Sequence, residues 1–154
     1  MKISDAEEGR RGEVPDLYEF LPLPELVDLV KRAGGIIFVA HPHKHVQDIP
    51  NLIKYGISGL EIWHSLLTDE ERILGLEIAR DYNLYVSGGS DHEGLCGGQY
   101  AFYEDYKNTE FYIPECSMGT TKEFFDEIVN RKFMPDREKY INDRIAEIKE
   151  RIKK

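Results

Sequence analysis

Two short stretches concentrate side chains able to ligate a metal ion: His41-Pro42-His43-Lys44-His45 and Asp91-His92-Glu93. Imidazole nitrogen with carboxylate oxygen is the ligand set of Zn²⁺, Mn²⁺ and Fe²⁺ sites. His41 directly follows the apolar run Ile36–Ala40, His64 ends Leu60-Glu61-Ile62-Trp63, and Asp91 follows Leu84–Ser87 after a Gly-Gly-Ser turn. If these runs are parallel strands, the three positions share one rim, where the functional groups of parallel α/β folds gather. Gly88 and Gly89 let the backbone turn tightly enough to bring Asp91 against an ion. We therefore read His41, Asp91 and His92 as metal-binding and catalytic residues. His43, Lys44, His45, His64 and Glu93 are read as residues that orient those ligands or face a substrate. Each has a plainer reading. Asp91 suits a helix cap, His41 suits a buried histidine bonded to a carbonyl, and the His-x-His-x-His stretch suits an exposed loop. Cys96, although nearby, reads as a half-buried free thiol.

The elements that must position these residues follow from spacing. A helix starts near Pro24 and carries Leu26, Val27, Val30 and Ala33 before Gly34-Gly35 closes it. Ile36–Ala40 is a continuous apolar run, the pattern of a strand buried on both faces. Asp48 is placed to cap a short helix with Ile49, Leu52 and Ile53, which Gly56 ends. The strand Leu60–Trp63 follows. Thr68 and Glu71 have capping-box spacing, and their helix carries Leu74, Ile78 and Tyr82, with Asn83 suited to a left-handed close. The strand Leu84–Ser87 comes next, then strand candidates Gln99–Tyr103 and Glu110–Ile113. Thr120 with Glu123 gives a second capping box, ahead of Phe124, Phe125, Ile128 and Val129. The last helix starts after Pro135 and carries Tyr140 or Ile141, then Ile145, Ile148 and Ile152. Strands alternating with helices in this way indicate an α/β fold with a parallel sheet or part of a barrel.

Composition limits the function. A chain of 154 residues, 41% hydrophobic and 32% charged, makes one soluble domain. A net charge of −9 argues against nucleic acid as the main partner. Charge is uneven, with nine Lys/Arg against five Asp/Glu from Arg131 to Lys154, a mixed-sign pattern that fits a solvated helix face. No apolar run is long enough to cross a bilayer, and the first residues have no apolar core of a secretory signal, so the expected location is the cytoplasm. Cys96 and Cys116 are too few for a disulfide framework. Residues 1–20, charged and glycine-rich, are expected to be a flexible arm. Residues 21–134 form the α/β domain and 135–154 a C-terminal amphipathic helix.

Three motifs in order, Ala40-His41-Pro42, Gly59-Leu60-Glu61-Ile62-Trp63-His64 and Gly88-Gly89-Ser90-Asp91, resemble the later part of the PHP (polymerase and histidinol phosphatase) superfamily. The likeness runs from about Leu23 to Gly94. It implies a β/α barrel of about seven strands with a metal centre at the strand ends, in which phosphate esters are hydrolysed through a metal-bound water. It makes His41 and Asp91 ligands of a divalent ion (Zn, Mn or Fe), their number left open. The family usually reads Ser-Asp-x-His-Gly, whereas this chain reads Ser90-Asp91-His92-Glu93-Gly94, so either His92 or Glu93 takes the histidine's part. The family's opening His-x-His motif has no counterpart before His41.

The resemblance thus covers half of a PHP-type barrel, with three to four mainly parallel strands and flanking helices. So few strands leave the barrel unclosed, with apolar faces and strand edges exposed. The expected remedy is a homo-oligomer, most simply a dimer, or another chain that supplies the missing half-barrel. The expected activity is that of a phosphoesterase, weak or absent in the chain alone. The alternatives are a non-catalytic metal-binding or oligomerisation module derived from a PHP domain, and an excised piece of a longer PHP enzyme.

Overall fold

The computed structural model describes residues 21–64, 66–89 and 119–153. Three strands, β1 (Phe38–Val39), β2 (Gly59–Trp63) and β3 (Tyr85–Gly88), form one open sheet in the order β1-β2-β3. Both pairings are parallel, with Val39 opposite Leu60 and Leu60 opposite Val86. The α/β class and the parallel sheet expected from the sequence are present. The expected arm at residues 1–20 and the strand candidates Gln99–Tyr103 and Glu110–Ile113 lie outside the described residues.

Among the described residues five helices accompany the sheet: α1 (Leu23–Arg32), α2 (Ile49–Ile53), α3 (Asp69–Asp81), α4 (Lys122–Asn130) and α5 (Arg137–Ile152). A 3-10 turn, Val46–Asp48, leads into α2. Asp48 stands at the cap position of α2 but makes no side-chain capping bond there; its carboxylate instead lies 3.3 Å from His45 Nδ1. α3 begins with the complete capping box expected of Thr68 and Glu71, and Asn83 takes a positive φ of 52° just beyond the helix. The core joins Leu60 and Ile62 of β2, Val86 of β3, Leu76 and Ala79 of α3, Phe124 of α4 and Ile141, Ile145 and Ile148 of α5.

Several expected faces shift. β1 is two residues long and half-buried rather than a five-residue strand buried on both sides. Among the described residues it pairs with β2 alone, so one edge and part of its faces stay open. On α1 only Val27 is buried, and Leu26 and Leu29 face solvent. On α3 the expected stripe Leu74-Ile78-Tyr82 is replaced by Gly75, Leu76, Ile78 and Ala79, with Leu74 and Tyr82 exposed. Close approach explains this: a Cβ on Gly75 would run into the side chain of Ile62, so α3 sits against β2 through its smallest residues. α4 is capped by Thr121, not Thr120, and buries Phe124 while Phe125 and Val129 point outward. α5 buries the expected isoleucines except Ile152, which is exposed in its last turn.

Candidate functional site

Parallel pairing sends the carboxyl ends of all three strands to one rim. His41 stands two residues beyond β1 and His64 one residue beyond β2, and their rings meet with centroids 5.0 Å apart at 41°. The ladder continues past β3, where Gly89 N–H donates to Trp63 O at 3.1 Å. His41 and His64, two of the sequence candidates, are therefore brought together. Asp91, His92 and Glu93 lie outside the described residues, as do Cys96 and Cys116.

His64 is buried and tightly held. Its Nδ1 accepts the Leu66 N–H at 3.1 Å, and its carbonyl accepts from Arg72 Nη2 at 2.8 Å. Arg72, itself buried, is held in turn by Asp69 at 2.7 Å, and Asp69 also receives Arg151 from α5. With the Nδ1 lone pair engaged, a neutral His64 carries its proton on Nε2. That nitrogen is a hydrogen-bond donor and has no lone pair for a metal. His64 therefore suits contact with an oxygen rather than ligation.

The His41–His45 loop is folded on itself and anchored to two other elements. Within it, His43 N–H donates to His41 O at 2.6 Å and His45 N–H to Pro42 O at 2.9 Å. From β2, Glu61 Oε2 accepts the His41 N–H at 2.8 Å. From α3, the Glu71 carboxylate accepts the Lys44 N–H at 2.6 Å and lies 3.0 Å from His43 Nδ1. The same carboxylate accepts Thr68 N–H at 2.8 Å to close the capping box. Burial pushes the Glu71 carboxyl up, but the Thr68 and Lys44 amides and His43 outweigh it and hold it below its ordinary range. The carboxylate as acceptor places the His43 proton on Nδ1, so Nε2 of a neutral ring keeps its lone pair. The Lys44 and His45 side chains are exposed, and His45 is paired with Asp48.

Arg72 is not singled out by sequence, and Glu61 is named there only within the Gly59–His64 motif. Glu61 carried a signal, a lone carboxylate in the apolar strand Gly-Leu-Glu-Ile-Trp. Glu71 was legible only as a helix cap.

A divalent ion is what the resemblance implies at this rim. His41 fits it in kind, as an imidazole at a strand end. In number the set falls short: among the described residues no three His, Cys, Asp or Glu side chains could together hold an ion. The other expected ligands, Asp91 and His92, follow Gly89 by two and three residues.

Fold and rim together define a parallel α/β sheet with imidazoles and carboxylates gathered past its strand ends. The chain is 30% identical over 81 residues to a phosphoribosyl 1,2-cyclic phosphate 1,2-diphosphodiesterase of Eggerthella lenta, an alignment covering 51% of this chain and 31% of that protein. The aligned stretch thus spans about a third of that relative's length. This likeness lends weak support to a PHP-like origin. No family model matches the chain. No solved structure matches it either. No helix among the described residues is long and apolar enough to cross a membrane.

Proposed function

We propose that this chain forms part of a PHP-type, metal-dependent phosphoesterase that hydrolyses a phosphate ester. The observation that carries the reading is the His41–His64 pair at the carboxyl ends of adjacent parallel strands, 5.0 Å apart, beside the carboxylate of Glu61. The likeness to a cyclic-phosphate diesterase supports phosphate esters as the substrate class. In this reading His41, Asp91 and His92 hold the divalent ion, Zn, Mn or Fe. A bound ion would supply Lewis-acid polarisation of a phosphoryl oxygen and an acidified water. The chain's own groups do the rest. His64, buried with its Nδ1 held by the Leu66 N–H, orients the rim or faces the substrate. His43 and Lys44 face the phosphate, His45 lies at the outer margin, and Glu93 is the alternative to His92.

Metal content of the purified protein, followed by hydrolysis of p-nitrophenyl phosphate and its bis-ester with added Mn²⁺ or Zn²⁺, tests this. His41→Ala is expected to lower turnover by about 100-fold or more and to lower bound metal. Full activity in His41→Ala would refute the assignment. A protein with neither metal nor activity would favour the non-catalytic module instead.

The open sheet supports a second part of the proposal, completion of the barrel by further strands from another copy or another chain. β1 has one partner among the described residues, and Phe125 and Val129 lie exposed on α4.

A further inference from the structure

Two residues of the His41–His45 loop hold left-handed backbone conformations that non-glycine residues rarely adopt: His41, with φ 23°, and Lys44, with φ 61°. Such conformations persist where the surroundings over-determine them. Four amides serve this loop, since Pro42 has none. Those of His43 and His45 are satisfied inside it, by His41 O and Pro42 O. Those of His41 and Lys44, the two left-handed residues, are each taken by a carboxylate from elsewhere, Glu61 at 2.8 Å and Glu71 at 2.6 Å. The two carboxylates come from different elements, the central strand and the first turn of α3, so each fixes the loop against a separate part of the core.

We propose that Glu61 and Glu71 are positioning residues, a pair of carboxylate clamps that hold His41 and His43 in place through the backbone of the two strained positions. Glu61 is itself constrained, because its other oxygen lies where a Cβ on Gly89 would stand. It therefore lies against Gly89, just past β3, while it holds His41, two residues past β1, and links the two outer strand ends across the central one. Glu71 adds a bond to His43 Nδ1, which sets that ring's tautomer and orientation. Neither role requires contact with a substrate. The clamp stands on geometry alone. Its effect on metal affinity rests on the phosphoesterase reading given above.

The test is residue-resolved amide exchange by NMR on the full chain, with Mn²⁺ affinity measured alongside. Glu61→Ala should speed exchange at the His41 amide about 10-fold or more and leave core amides such as Leu60 and Val86 at wild-type rates. Glu71→Ala should do the same at Lys44 and shift the His43 ring resonances. Glu61→Gln and Glu71→Gln keep an acceptor oxygen and should restore most of the protection. If an alanine variant fails to fold, the aspartate variant, one methylene short, carries the same measurement. Mn²⁺ affinity should fall about 10- to 100-fold in the alanine variants and much less in the glutamine ones. Wild-type exchange at His41 and Lys44 in the alanine variants would overturn the clamp, and so would a uniform rise through the core. A wild-type protein that binds no Mn²⁺ would remove the metal reading, while the exchange rates would still decide the clamp.

Discussion

Removing the guanidinium of Arg137 should cost more stability than any surface change in this chain. The residue opens α5 and is buried, with Nε donating to Glu127 Oε2 at 3.1 Å, Nη1 to Ala79 O at 3.1 Å and Nη2 to Leu84 O. Its face lies 4.5 Å from the Phe133 ring. One side chain therefore joins α4, α5, the last turn of α3 and the entry to β3. Arg137→Ala leaves the Glu127 carboxylate buried beside the Met134 N–H without its guanidinium partner, and strips a donor from two carbonyls. Breaking a buried pair from one side costs about 3–5 kcal/mol. Loss of the donor to Leu84 O adds about 1 kcal/mol, while Ala79 O keeps the Leu84 N–H at 2.9 Å. A loss of about 5 kcal/mol is a large share of a typical domain's stability. With a urea slope of about 2 kcal/mol/M the midpoint should fall by about 2.5 M. Glu127→Ala should cost less, because Arg137 keeps both carbonyls and the Phe133 face. Glu127→Leu with Arg137→Met should lie within about 2 kcal/mol of wild type, since a buried pair replaced whole by apolar groups is often neutral. Equilibrium urea unfolding followed by circular dichroism reads all three. If Arg137→Ala costs under 1 kcal/mol, or no more than the double variant, the buried charge is not what ties α5 to the sheet.

Two further outcomes follow from the same structure. Asp69 and Glu71 both titrate below their ordinary values: burial pushes each up, but Arg151 and Arg72 outweigh it for Asp69, and the Thr68 and Lys44 amides with His43 outweigh it for Glu71. A lowered folded value gives stability that is complete above the unfolded carboxylate range, about pH 4–4.5, and is lost as pH falls through the folded values. The urea midpoint should therefore drop steadily below pH 4.5, and Asp69→Asn with Glu71→Gln should flatten that slope. An unchanged slope in the double variant would remove both groups from the account. Under the proposed completion of the barrel, light scattering after size exclusion should show association at high protein concentration, since β1 pairs with β2 alone among the described residues; a clean monomer throughout would sink that part of the proposal.

Local signals were legible where local physics decided the outcome. The Thr68–Glu71 capping box, the isoleucine stripe Ile141-Ile145-Ile148 and the parallel strands all lie where sequence spacing puts them. Tertiary partners moved the rest. Thr120 has Glu123 three residues on and so reads as the cap of α4. In the fold the Thr120 hydroxyl donates to Val86 O at 3.1 Å, Glu123 receives the Tyr140 hydroxyl at 2.9 Å, and Thr121 caps in its place. On α3 apolar size is a poor guide to the buried face. Where helix and sheet approach most closely the sheet selects glycine and alanine, and larger residues such as Leu74 are turned outward.

The same division governs the site. The sequence brings His41 and His64 to one rim because each directly follows an apolar strand, and strand ends are local features. Glu61 and Glu71 escape that logic, since each already has a local explanation, one as a polar residue in a strand and the other as a helix cap. Their partners in the histidine loop lie 20 and 27 residues away in the chain. What makes the Glu61 contact inevitable is register. With Val39 opposite Leu60, Glu61 comes level with Ala40, and its carboxylate needs to extend by one residue to reach the His41 amide. A carboxylate in the central strand, one position beyond the last paired residue, is thus tied to the histidine beyond the neighbouring strand by the ladder itself. A one-residue slip of β1 against β2 would reverse the side-chain faces and leave the His41 backbone without that acceptor. The strained histidine and the strand pairing therefore support each other, so the site's geometry and the sheet's register form one structural constraint.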